Sequence, residues 1–263
     1  MLIARAISVV RGGKPILTDV TVALRAGELV AVIGPNGAGK STLLQALAGG
    51  VAPQTGEVAL DGMPLERWSR GALALRRAVV PQDSMLSFPL STVEVVLLGR
   101  CPRRGASTPQ RDLCIAAEAL QATGTDHLAD RDYTTLSGGE RQRVQFARAL
   151  AQIWPDDRLP DDDNGRYLLL DEPTASLDLN HQHRILQLSR SVSRRGCGVL
   201  AVLHDFNLAA LYADRLILLA QGRLVLDGTP EDVLTADRVE EAFGVPVVVA
   251  RHPRRGTPLV MPA

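Results

Sequence analysis

Apolar and polar positions along the 263-residue chain change their period twice. Val, Ile and Leu dominate Leu2–Val10 and Ile16–Leu24, and Gly12-Gly13 lies between the two runs, which predicts an antiparallel pair of strands. Glu28–Ile33 is nearly all apolar, as expected for a strand covered on both faces. A glycine-rich turn then leads into Lys40–Gly49, which has helical spacing and stops at Gly49-Gly50. Asp61-Gly62 predicts a hairpin turn between short strands.

From about Asp83 to Asp163 the pattern turns helical. Val93–Leu98, Asp112–Ala122 and Glu140–Gln152 have helical spacing, and no strand is predicted among them. Alternation returns at Tyr167: strand Tyr167–Leu170, helix Gln182–Arg195, strand Gly198–Leu203, helix Asn207–Tyr212, strand Leu216–Leu219. Strands and helices alternating at this spacing predict a parallel sheet with right-handed crossovers. Thr229-Pro230-Glu231-Asp232 predicts a further helix start, Pro246–Ala250 a last strand, and Arg251–Arg255 a short basic tail in solvent.

Composition narrows the function classes. Lys+Arg and Asp+Glu both number 29, so the chain has no net charge and no global field for nucleic acid or anionic lipid. The most apolar stretch, Gly198–Ala220, is interrupted by His204, Asp205, Asn207, Asp214 and Arg215, so no membrane span is predicted. Met1–Arg5 has no signal-peptide pattern, and Cys101, Cys114 and Cys197 read as reduced thiols. Pro155–Gly165, with five Asp and two Pro, reads as a solvated loop, with a cation site as the alternative.

Three segments carry chemistry. Gly34-Pro35-Asn36-Gly37-Ala38-Gly39-Lys40-Ser41, followed by Thr42, has the spacing of a phosphate-binding P-loop between a buried strand and a helix. Its glycines let backbone N–H groups close on phosphate, Lys40 bridges phosphate oxygens, and the Ser41 hydroxyl suits Mg²⁺. Tyr167–Leu170 ends in Asp171 and Glu172, which places two carboxylates at the carboxyl edge of the sheet, where ligands of open α/β folds bind. Asp171 suits Mg²⁺, and Glu172 suits a general base toward water. Ser137-Gly138-Gly139-Glu140 opens a second helix with the character of another anion cradle, or of a plain Ser cap.

With Leu136 before it, that last segment resembles the signature motif of the nucleotide-binding subunits of ABC transporters, and the resemblance spans nearly the whole chain. It implies an α/β P-loop NTPase core with a mixed, largely parallel sheet, an N-terminal antiparallel β subdomain and an inserted helical subdomain. On this reading residues 1–263 are one ATPase domain: 1–82 and 164–250 form the core, 83–163 the helical signature subdomain and 251–263 a tail. The resemblance implies a homodimer that sandwiches two ATP molecules, each P-loop facing the partner's signature. It also gives Gln82 the role of the family's Q-loop glutamine at Mg²⁺ and water, and makes Ser176-Leu177-Asp178 the D-loop at the dimer seam. His204 takes the place of the switch histidine at the γ-phosphate. The family's adenine-stacking aromatic has no counterpart. Val10 and Arg11 hold that place, so either the Arg11 guanidinium stacks on the base or the base is held loosely.

Phe88–Arg100 resembles the stretch by which importers for ferric siderophores, heme and cobalamin receive a permease helix. Ser176–His183 and Ile153-Trp154-Pro155 resemble the hemin-importing group among them. The implied protein couples ATP hydrolysis to hemin import, with ATP and Mg²⁺ as cofactors. Its partners would be transmembrane permease subunits and, through them, a periplasmic binding protein; it would bind no nucleic acid. It would sit peripherally on the cytoplasmic face of a bacterial inner membrane. A siderophore or cobalamin importer is the alternative, and a soluble ABC ATPase a further one. His181 and His183 read as helix-opening residues rather than heme ligands.

Overall fold

A computed structural model describes residues 1–82, 89–154, 165–175 and 177–263. The chain opens with β1 (Leu2–Arg11) and β2 (Lys14–Leu24), turns into β3 (Leu29–Ile33), and passes through the P-loop into α1 (Lys40–Leu47). Next come β4 (Thr55–Leu60), β5 (Met63–Pro64), α2 (Arg70–Arg76) and β6 (Arg77–Val80). The helical segment holds α3 (Thr92–Leu97), α4 (Pro109–Thr123) and α5 (Gly138–Gln152). Then follow β7 (Arg166–Asp171), α6 (Leu179–Arg194), β8 (Cys197–Val202), α7 (Phe206–Tyr212), β9 (Arg215–Ala220) and β10 (Arg223–Gly228). The chain closes with α8 (Pro230–Val233), α9 (Ala236–Phe243), β11 (Val247–Arg251) and β12 (Pro258–Pro262).

Two sheets organise the described residues. An antiparallel sheet has the order β2-β1-β4-β5, and a second sheet has the order β10-β9-β3-β8-β7-β6. In the second, β9, β3, β8, β7 and β6 run parallel, and β10 returns antiparallel to β9. The fold is therefore the expected α/β architecture with a mixed, largely parallel sheet. Its strands read as continuous apolar runs because both faces are covered. Leu29, Ala31 and Ile33 of β3 face a core shared with α3–α7, whereas Val30 and Val32 face a core shared with α1 and the antiparallel sheet. Strands β7 and β8 divide in the same way, with Leu168 and Val199 on one side and Leu169 and Leu200 on the other.

The helices begin where side chains supply the missing acceptors. Ser91, Ser137 and Thr229 each form a capping box with the acid three residues on, and Asp178 and Asp205 cap α6 and α7. Residues 258–262, expected in a tail, form a strand instead. β12 pairs with β11, and Asn207 of α7 holds the hairpin by bonding both the N–H and the carbonyl of Val260. Of the basic segment Arg251–Arg255, Arg251 ends β11 and the rest lies in the turn of that hairpin. Burial pushes the Cys197 thiol up to about 12, which makes it inert, while Cys101 and Cys114 are exposed and free. The Asp-rich loop falls almost wholly within 155–164, outside the described residues.

One cation ties the two sheets together. Arg215 at the start of β9 bonds Glu28 at 2.6 Å, Asp227 at 2.5 Å and the Ala23 carbonyl of β2 at 2.5 Å, with its side chain 16% exposed. Arg215→Met should strand both carboxylates and lower the unfolding free energy by about 3 kcal/mol, read by urea titration.

Candidate active site

The P-loop has the conformation its glycines permit. Gly34 has φ 152, and a Cβ there would lie 2.1 Å from the Leu219 carbonyl of β9. Gly39, at φ 95, lies so close to β2 that a Cβ would meet Leu17 Cδ2 at 2.6 Å. Gly37 instead faces open space at φ 79, where a ligand can approach the backbone. Ala38 and Thr42 are buried, Pro35 is half-buried and Asn36 is exposed. Lys40 lies against the loop, its Nζ donating to the carbonyls of Gly34 at 2.8 Å and Pro35 at 3.0 Å. Burial lowers the Lys40 ammonium from its ordinary value, and Glu172 and Asp171 oppose that shift.

Strand order brings the remaining groups to the loop. The P-loop leaves β3, His204 follows β8, Asp171 ends β7 with Glu172 after it, and Gln82 follows β6. These are neighbouring parallel strands, so the groups share one carboxyl edge. Ser41 Oγ donates to Asp171 Oδ1 at 2.9 Å. Burial raises the Asp171 carboxyl above its ordinary value, with the Ser41 bond opposing. The Glu172 carboxylate lies between two groups: Oε1 is 2.7 Å from His204 Nε2, and Oε2 accepts from Gln82 Nε2 at 2.8 Å. Its backbone has φ 50, a left-handed conformation that costs a non-glycine residue about 1–2 kcal/mol and that gathers at functional sites.

A half-buried hydroxyl beside a buried carboxylate fits Mg²⁺, a hard cation that takes oxygen ligands. Ser41 and Asp171 provide that pair. A buried ammonium beside open backbone N–H groups fits phosphate in the same way.

The signature segment lies apart from this cluster. Ser137 caps α5, and Glu140 Oε2 accepts from Ser137 N at 2.8 Å and Ser137 Oγ at 2.7 Å. Glu140 was expected to belong to the anion cradle, but its carboxylate is engaged in the cap of its own helix, which holds it below the usual range. Gly138 is exposed with nothing near its Cβ position, while a Cβ on Gly139 would meet Leu177 Cδ2 at 3.1 Å. No hydrogen bond among the described residues joins Ser137, Gly138 or Gly139 to the P-loop of the same chain. Ser176 falls outside the described residues, Leu177 is buried, and Asp178 caps α6 through His181 N at 2.9 Å. Asp178 also meets His181 Nδ1 at 2.7 Å, and His183 Nδ1 meets the Tyr212 hydroxyl at 2.7 Å, so both histidines have local partners. Arg11 is exposed on the hairpin and donates to Gln45 of α1 at 2.7 Å. Sequence reasoning missed Gln142, whose Nε2 donates to the Glu172 carbonyl at 3.2 Å. Neither its spacing nor its residue type signals that contact.

The ABC transporter family model matches residues 17–175, from β2 through the turn after Glu172. The chain belongs to the ABC transporter family. The cassette is 52% identical over 262 residues to the hemin import ATP-binding protein HmuV of Gloeobacter violaceus, covering 100% of this chain and 94% of that protein. Its fold superposes with TM-score 0.80 and 27% identity on a chain of a metal-chelate type ABC transporter in an inward-facing conformation, covering 100% and 96% of the two chains. It also matches a dimeric ATP-binding cassette bound to ADP and Pi, with TM-score 0.74, 27% identity and coverage of 87% and 98%. The cassette is accordingly an ATPase that binds ATP. Gly34→Ala should weaken nucleotide binding by about a hundredfold, equivalent to roughly 3 kcal/mol, because the new Cβ overlaps a strand carbonyl. Gly37→Ala, which strains the backbone at φ 79 but meets no protein atom, should lose less in the same titration with a fluorescent ATP analogue.

Proposed function

We propose that the chain is the ATP-hydrolysing subunit of a bacterial importer for hemin, working as a homodimer beneath a membrane permease. The observation that carries the reading is the joint presence of a hydrolytic edge and of a Ser137-capped glycine pair that makes no hydrogen bond to the P-loop of its own chain among the described residues. Lys40, Ser41, Asp171, Glu172, Gln82 and His204 meet at one edge, while Ser137 and Gly138 are exposed and bond none of them among the described residues. One chain therefore has half of two sites, and a head-to-tail pair completes both. The hemin assignment is supported by full-length similarity to proteins bearing that name.

In this reading Lys40 exchanges the carbonyls of Gly34 and Pro35 for β- and γ-phosphate oxygens. Ser41 and Asp171, with Gln82 beside them, would hold Mg²⁺, which supplies neutralisation of phosphate charge. Glu172 accepts a proton from the attacking water, whose oxygen bonds the γ-phosphorus as the bond to the β–γ bridging oxygen breaks. ADP and phosphate leave. His204, now on Glu172, turns to the γ-phosphate and thereby frees the carboxylate for that proton. The partner's Ser137, Gly138 and Gly139 close on the same phosphates, and Arg11, at the end of β1 against Gln45 of α1, contacts the base.

No helix among the described residues is long and apolar enough to cross a membrane, so import requires a separate permease. Within the stretch expected to receive a permease helix, Val95 and Val96 of α3 are buried in the cassette's own core, Leu98 is exposed, and Phe88 lies outside the described residues. A groove lined by Val51, Leu65, Trp68, Leu73 and Arg77 offers a second partly apolar surface for such a helix.

Glu172→Gln should retain ATP binding while lowering turnover by at least about a thousandfold, measured as phosphate release. Lys40→Ala should lose ATP binding. Full turnover in the first or full affinity in the second would refute the roles assigned. A deletion strain should fail to grow on hemin as sole iron source and be rescued by the wild type but not by Lys40→Ala. Failure on a ferric siderophore alone would move the substrate to that class.

A further inference from the structure

The left-handed conformation of Glu172 has identifiable supports around its carbonyl oxygen. Ala175 N donates to it at 3.1 Å and closes the turn after β7, and Gln142 Nε2 donates from α5 at 3.2 Å. The far side of the same turn is held from another helix, where Gln182 Nε2 of α6 donates to the Thr174 carbonyl at 3.3 Å. Of these two amides, only that of Gln142 reaches the residue carrying the carboxylate. It also belongs to the helix that Ser137 caps, five residues from the cap.

We propose that Gln142 is a positioning residue for ATP hydrolysis. Its amide fixes the Glu172 carbonyl and so links the placement of α5 to the aim of the Glu172 carboxylate. The inference rests on the reading of Glu172 as the base toward water. The physical argument is one of linked geometry. In the left-handed region, the direction of the Glu172 side chain and that of its carbonyl are set by the same two dihedral angles. A bond that holds the carbonyl therefore holds the Cα–Cβ direction from which the Glu172 side chain reaches His204 and Gln82. Because α5 is a rigid helix of 15 residues, a shift of its Ser137 end on phosphate binding is carried to Gln142 and on to Glu172. The chain thereby has a direct mechanical route from the anion cradle it offers a second copy to the base of its own site.

Gln142→Met keeps the length and apolar body of the side chain and removes the donor. The expected result is a fall in kcat of about tenfold, the scale of one hydrogen bond expressed only when the base is in use, with KM for ATP within about twofold of wild type. The melting temperature should not change. In a Glu172→Gln background, adding Gln142→Met should cause no further loss in single-turnover hydrolysis, because the group it positions is gone. Wild-type kcat in Gln142→Met would overturn the inference. So would a loss of kcat matched by a rise in KM or a drop in melting temperature, or a full additional loss in the double variant. Full turnover in Glu172→Gln alone would instead overturn the reading of Glu172, and this inference with it.

Discussion

The chemistry of this cassette depends on the pairing of β3, β8, β7 and β6 in parallel. Neighbouring strands stand about 4.8 Å apart, so consecutive strand ends deliver side chains at hydrogen-bonding reach of one another. The P-loop, His204, Asp171 with Glu172, and Gln82 are each the continuation of one of those strands. A slip of one residue in β7 would turn Leu168 and Leu170 toward the wrong core and carry Asp171 away from Ser41. Two apolar cores, one on each face of the sheet, prevent that slip. Packing far from any ligand thus sets the geometry of the site.

The resting site holds its charges at a cost. Lys40 is buried with only backbone carbonyls for its ammonium, Asp171 is buried with one hydroxyl, and Glu172 sits in a strained backbone conformation. On the proposed mechanism each of these groups gains a partner from nucleotide, metal or water, which favours the ligand-bound state. That differential is the physical source of work in an ATP-driven cycle, since a ligand shifts a conformational equilibrium only by as much as it prefers one state.

Legibility in the sequence followed how local the determinant was. The P-loop was readable because its requirement is backbone freedom at Gly34, Gly37 and Gly39 followed at once by Lys40-Ser41. Asp171 and Glu172 were readable as polar residues closing an apolar strand. Strand β6 escaped because four residues beginning with Arg77 have no period of their own, and their identity comes from β7 alongside. Strand β12 escaped because it begins and ends on proline, which ordinarily argues against a strand; as one member of a two-stranded hairpin it has a free edge. Glu140, read as part of an anion cradle, also closes the capping box of its own helix through Ser137, a local role that the motif did not reveal. Gln142 was invisible because its partner is a backbone carbonyl 30 residues away, and a carbonyl carries no residue identity.

The central claim is that a complete catalytic site needs Lys40 from one chain and Ser137 from another. The direct measurement is solution mass by light scattering on Glu172→Gln, with and without ATP. The mass should rise from that of the 28.2 kDa chain to about twice that value on adding ATP. Adding Ser137→Arg should abolish the rise while ATP still binds at the P-loop. An unchanged mass with ATP bound, or a rise that survives Ser137→Arg, would contradict the account.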